Sequence, residues 1–179
     1  MPRQTGPISN YFAVIAEQKH TKPLIEDVIG SFLEGDKLQN AMDFIKFLRT
    51  NNMNPRWVSG NSWSISGRKG KAACRIDLGG NKHSWHSHFT VGDWQVSELE
   101  GHDRKYLDEF IHCDETKEFI WKNIKPCTKC SKCGPKLNRI YAGKLFPESC
   151  LFRVVNPDAK ELEILKKLVV ANKRFVPEK

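Results

Sequence analysis

From Leu24 the apolar positions recur at helical spacing. Leu24, Ile25, Val28, Ile29, Phe32 and Leu33 make one continuous stripe. Pro23 stands just ahead of it, where a fixed φ and a missing N–H are harmless in a first turn. Gly35 ends this helix. Asp36 caps a second, with Leu38, Ala41, Met42, Ile45 and Leu48 on its apolar face, which stops within Asn51 to Asn54 ahead of Pro55. So short a link predicts a compact helical hairpin or corner. Residues 1–20 lack periodicity and hold Pro2, Gly6 and Pro7, so a loose start is expected, with Tyr11 to Ala16 pinned to the body as a strand or short helix.

The period changes to two at Arg56. Arg56 to Val58 is a short strand, and Trp63 and Ile65 alternate with Ser62, Ser64 and Ser66. After the turn Gly67 to Gly70, Ala72, Cys74, Ile76 and Leu78 alternate with Ala73, Arg75 and Asp77. A turn at Gly79 to Asn81 leads to Trp85, Phe89 and Val91 against Ser84, His86, His88 and Thr90, then to Trp94 and Val96. The turn spacing predicts an antiparallel meander of about four or five strands. One face is apolar and receives the helices. The other carries serines, Arg75, Asp77 and the two histidines.

Two shorter helices follow: one from about Asp103 with Tyr106, Leu107, Phe110 and Ile111, the other capped near Asp114 and carrying Phe119, Ile120 and Ile124 before Pro126 stops it. Arg139 to Phe146, with Gly143 inside, is a small hairpin, and Phe152 and Val154 mark one more strand. Asn156-Pro157 then reads as a cap and first-turn proline for a final helix with Leu162, Leu165, Leu168 and Val169 on one face. The fold class is α+β. Two N-terminal helices lie on an antiparallel sheet, with a small four-cysteine lobe (126–151) and a C-terminal helix, all in a single domain over residues 1–179.

Composition adds little to this, but charge does. The formal net charge is +8, and it is unevenly spread. Residues 1–115 hold 14 Lys/Arg against 15 Asp/Glu, and residues 116–179 hold 15 against 6. Lys122, Lys125, Lys129, Lys132, Lys136, Arg139 and Lys144 follow one another with no acid between Phe119 and Pro147. A nucleic-acid surface over 122–144 is one reading. Compensation for thiolates on a metal is the other. The apolar run Tyr11 to Ala16 is too short for a signal-peptide core or a membrane span, so a cytoplasmic protein with no membrane partner is expected.

Four of the six cysteines, Cys127, Cys130, Cys133 and Cys150, fall in one window, three of them at two-residue gaps. In a reducing compartment such spacing lets successive thiolates turn inward on one ion. Structural Zn2+ with four protein ligands is expected, an iron–sulfur cluster being the alternative. The spacing resembles the structural-zinc lobe of zinc-dependent alcohol dehydrogenases, where that lobe is a clip remote from the chemistry. The gap to Cys150 is longer here.

Other candidates are less defined. His86 and His88 share a strand face at about 6.6–7 Å, where Asp77 or His83 could complete a metal site. More often such a pair is simply polar, on the solvent side of a sheet, and no carboxylate or cysteine is fixed at ligand spacing. His112 and Cys113 point about 100° apart on a helix and make a poor dyad. Cys74 reads as core. Trp57, Trp63, Trp85 and Trp94 sit in the sheet region, as core packing or as the wall of a ligand pocket.

From Trp121 onward the chain resembles a group of small, functionally uncharacterised bacterial proteins. The shared pattern is Trp121 to Cys127, the cysteine cluster with Gly134-Pro135, Gly143-Lys144, Phe146 and Cys150. Asn156-Pro157-Asp158 and Leu165 to Leu168 close it. The resemblance implies that the four cysteines and the final helix form one unit, and it brings no reaction. The first functional expectation is a zinc-stabilised, sensor-like protein for a small-molecule ligand held by Trp57, Trp63, Arg75, Trp85, His86, His88 and Trp94. The second is nucleic-acid binding through the basic lobe. The third is an enzyme centred on His86, His88 and Arg75.

Overall fold

A computed structural model describes residues 16–66, 72–79, 94–97, 111, 113–126, 139–146 and 149–174. Residues 16–21 are helical (α1). The stripe from Leu24 forms less α-helix than its spacing predicts: α2 (Ile25–Val28) tightens at once into a 3-10 turn, Ile29–Ser31. Ile25, Ile29, Phe32 and Leu33 are buried, while Leu24 is 53% exposed. Gly35 adopts φ +55, the left-handed conformation that separates the two helical segments. From it runs α3 (Gly35–Thr50), which buries Ala41, Phe44, Ile45 and Leu48 and leaves Met42 outside. Arg49 of α3 grips Glu26 of α2 through two bonds of 2.8 and 2.9 Å. Those bonds hold the Glu26 carboxyl below its ordinary range despite the opposing effect of burial.

The period-two stretches become β1 (Pro55–Ser59), β2 (Ser62–Ser66), β3 (Ala72–Leu78) and β4 (Trp94–Ser97). Next come α4 (Asp114–Asn123), β5 (Ile124–Pro126), β6 (Arg139–Tyr141), β7 (Lys144–Phe146), β8 (Ser149–Val155) and α5 (Ala159–Arg174). Ile124, expected at the end of a helix, instead opens β5 opposite Phe152. Lys125 precedes Pro126, and a residue before proline is pushed out of the helical region. The edge position of β5 tolerates that proline. The expected Arg139 to Phe146 hairpin forms as β6–β7, turning through Ala142 and Gly143 at φ 48 and 78.

The main sheet has the order β1-β2-β3-β4-β8-β5, and every pair in it is antiparallel. β3 meets β2 on one edge and β4 on the other, with Leu78 opposite Trp94. Among the described strands the meander therefore steps from β3 to β4, and the strand expected through Trp85, His86 and His88 falls between them in sequence. Those residues lie outside the described set, as does the helix expected from about Asp103 with Tyr106, Leu107 and Phe110, except for its Ile111, which is described and buried.

Cross-strand partners share a face, so the register sorts the side chains. Trp63, Ile76, Val96 and Val154 form one continuous row across β2, β3, β4 and β8. Ile65 with Cys74, Leu78 with Trp94, and Ile124 with Phe152 extend the same face. All of these are buried. The face is covered by α3, which contacts β1, by α5, which contacts α3 and β3, and by α4, which contacts β8. Ring packing continues the core, Phe44 of α3 against Trp94 at 6.2 Å and Phe119 of α4 against Phe152 at 6.0 Å. Leu162, Leu165, Leu168 and Val169 are buried, as the apolar stripe of α5 requires.

The start of α5 differs from expectation. Asp158, not Asn156, caps it: Glu161 N–H donates to Asp158 Oδ1 at 2.8 Å and Asp158 N–H to Glu161 Oε2 at 3.3 Å. Asn156, at φ 46, instead locks β8 to β4, donating to the Trp94 carbonyl at 2.9 Å and accepting from its N–H at 3.0 Å. Asn172 at the far end of α5 donates to the Ala73 carbonyl, and Lys173 donates to the Asn51 carbonyl at the end of α3.

Candidate functional site

With one face of the sheet given to the helices, the other face carries the chemistry. Its register is continuous: Arg56 opposite Ser64, Ser64 opposite Arg75, Arg75 opposite Ser97, and Ser97 opposite Arg153. Arginine and serine thus alternate along one line crossing β1, β2, β3, β4 and β8. Neighbouring strands are about 4.8 Å apart, so successive arginines stand roughly 9.6 Å apart at their Cα atoms. Arg56 is exposed, Arg75 and Arg153 are half-buried, and Ser97 is buried. A parallel line runs Ser62, Asp77, Gln95, Val155. In it the Ser62 hydroxyl donates to Asp77 Oδ1 at 2.5 Å.

Arg75 therefore sits on the polar face, as the alternation predicts. The tryptophans expected to wall a pocket with it do not. Trp63 and Trp94 are fully buried on the opposite face, so the thickness of the sheet separates their rings from Arg75. Trp63 Nε1 donates to the Pro23 carbonyl at 3.0 Å. Trp57, half-buried opposite Trp63, donates to the Gly60 carbonyl at 2.7 Å and to Gln18 Oε1 at 3.2 Å. Gln18 in turn donates to Asn61 Oδ1 at 2.6 Å, tying α1 to the β1–β2 turn. Both N–H groups are thus engaged in holding the fold. The buried Trp94 N–H has no acceptor among the described residues. Trp85, His86 and His88 lie outside the described residues.

Cys127, Cys130 and Cys133 also lie outside them, and Cys150 is described only through the backbone of β8. No group of three or more His, Cys, Asp or Glu suited to a metal occurs among the described residues. The backbone around the cysteine segment is informative nonetheless. Pro126 pairs with Ser149, and these are the residues immediately before Cys127 and Cys150. Of the basic run, Lys122 pairs with Glu161 at 3.2 Å, and Lys144 lies over the rings of Trp121 and Phe146 at 5.2 and 5.6 Å. Cys74 is buried and Cys113 exposed.

The arginine–serine line as a whole was missed by sequence reasoning, which singled out Arg75 alone. Arg56, Ser64, Ser97 and Arg153 each hold a polar position in a period-two run, which is the signal that could have found them. What that pattern lacks is the pairing of β4 with β8. Among the described residues no helix is long and apolar enough to cross a membrane. Comparison with protein-family models, curated proteins and solved structures finds no match to this chain.

Proposed function

We propose that this chain is a small-molecule-binding, sensor-like protein whose ligand lies on the polar face of the sheet, with a four-cysteine zinc lobe as a structural staple. The observation that carries the reading is the line Arg56, Ser64, Arg75, Ser97, Arg153. A row of polar side chains held at fixed spacing on a rigid sheet is the kind of surface that orients a small ligand. The zinc part is supported by the pairing of Pro126 with Ser149, which brings the two ends of the cysteine-bearing segment together. Four thiolates close the coordination sphere of Zn2+, which suits a clip and leaves no position for catalysis.

Native mass spectrometry tests both parts. The purified chain should carry one zinc and, after incubation with a metabolite mixture, a small-molecule adduct that Arg75→Gln loses. Charge reversal at Lys129 and Lys132 should leave the adduct in place. Tight nucleic-acid binding that falls steeply with salt and disappears on that reversal would favour the basic lobe instead.

A further inference from the structure

We infer that the helical turn α1 is a releasable strap, latched to the β1–β2 turn by Gln18 and hinged at Lys22. The inference is independent of what the polar face binds. Of residues 16–22 only Gln18 is buried, the other six being exposed. The side chain that anchors this turn is therefore polar. Gln18 Nε2 donates to Asn61 Oδ1 at 2.6 Å, and Gln18 Oε1 accepts from Trp57 Nε1 at 3.2 Å. Release exchanges both bonds for bonds to water and gives up little apolar burial, the term that holds the rest of the fold. The Trp57 N–H keeps its shorter bond, 2.7 Å to the Gly60 carbonyl, so the body side of the latch survives release.

Two further observations favour opening. Asn61 is 5% exposed, and its Nδ2 has no hydrogen-bond partner among the described residues. An unsatisfied buried donor is costly, and lifting Gln18 away opens the same amide group to water. The hinge is the second. Lys22 takes φ 45 where its N–H closes α1 onto the Gln18 carbonyl at 2.9 Å. Glycine is the usual occupant of that left-handed, helix-ending position, because a Cβ is crowded there. Beyond Lys22 the chain is fixed: the Pro23 carbonyl accepts from Trp63 Nε1 at 3.0 Å, and Ile25 is fully buried. Rotation at Lys22 relieves the crowding and swings α1 against a rigid body. What it uncovers is Trp57 on β1, an outer strand of the described sheet.

Hydrogen exchange of the full chain, read by peptide mass spectrometry, tests the strap. Residues 16–22 should exchange about a hundredfold or more faster than β2 and β3. Low urea should barely change their rate, because the opening exposes little surface. Gln18→Ala should speed exchange in 16–22 by about tenfold and leave the melting temperature of the chain unchanged. Lys22→Asn should slow it, since asparagine accepts a positive φ more readily than lysine. These opposed responses separate a latched strap from a merely frayed end, which neither substitution would move. Protection in 16–22 equal to that of β2 in the wild-type chain would overturn the strap. So would exchange that both substitutions leave unchanged. A Gln18→Ala chain that melts early or fails to fold would overturn it too, by showing α1 to be integral to the fold.

Discussion

Cys74 and Cys113 have the same side chain and opposite surroundings. Cys74 pairs with Ile65 on the apolar face and is fully buried, the environment that makes a thiol inert. Cys113 stands exposed at the N-terminal end of α4, its Sγ 2.9 Å from Thr116 Oγ1. The Thr116 hydroxyl, then its backbone N–H, hold the Cys113 thiol below its ordinary pKa, against a small opposing push from Glu115. A lowered thiol pKa puts the nucleophilic thiolate in place at lower pH. Iodoacetamide should therefore modify Cys113 well before Cys74 in the native protein. Its rate should reach half-maximum below the free-thiol value of about 8.5, and Thr116→Val should move that midpoint up. Equal labelling of the two would contradict the burial pattern. At this scale the alternation of apolar and polar positions is a reliable guide: it places Cys74 in the core and Arg75 on the opposite face. Carried through to Trp63, it would also have separated that ring from Arg75. A single pocket holding both was never open to a residue pair on opposite faces of one sheet.

The elements were legible where a pattern ran long and unclear where ends depend on hydrogen bonds. The apolar stripes of α3 and α5, and the strands β1, β2, β3 and β4, follow from spacing alone. Phe44 was overlooked on α3 although it stands three residues beyond Ala41, and it is fully buried. The beginning of α5 shows why termini are harder. Asn156-Pro157 has the composition of a cap, but the φ of 46 at Asn156 and its two bonds to Trp94 serve strand pairing. Asp158 and Glu161 satisfy the helix instead, two residues later, by exchanging bonds. Asp158→Ala should therefore destabilise the protein by about 1 kcal/mol, lowering the melting temperature by roughly 2–4 °C. Asn156→Ala should act differently, speeding amide exchange at Trp94 and along β4 while sparing the first turn of α5. A calorimetric scan of the first variant and hydrogen exchange on the second separate the two roles. An unchanged melting temperature in Asp158→Ala would show that the capping pair contributes nothing.

On the scale of the whole molecule, the decisive contact was the strand pairing farthest apart in sequence among those described. β4 meets β8 through Val96 opposite Val154, and no local pattern predicts that pairing. It completes the sheet, extends both faces to Arg153 and Phe152, and leaves β5 as the outer strand holding the base of the cysteine segment. The zinc reading can be tested through that geometry. If Cys127, Cys130, Cys133 and Cys150 share one ion, the metal closes a loop whose base is the β5–β8 ladder, and its binding energy contributes to folding there. Purified protein should then be colourless with about one zinc per chain, and Zn–S distances near roughly 2.3 Å. Removing the metal, or replacing Cys133 or Cys150 by Ser, should raise hydrogen exchange first in β5 and the Ser149 end of β8. Strands β1 to β3 are held by the helix layer and should keep their protection. Cys74→Ser or Cys113→Ser should leave β5 protected as in the wild type. A brown protein containing iron would exchange zinc for a cluster on the same four thiolates. Metal-free protein in which β5 is as protected as in the untreated chain would remove the staple altogether, and the Pro126–Ser149 pairing would have to be maintained by side-chain packing alone.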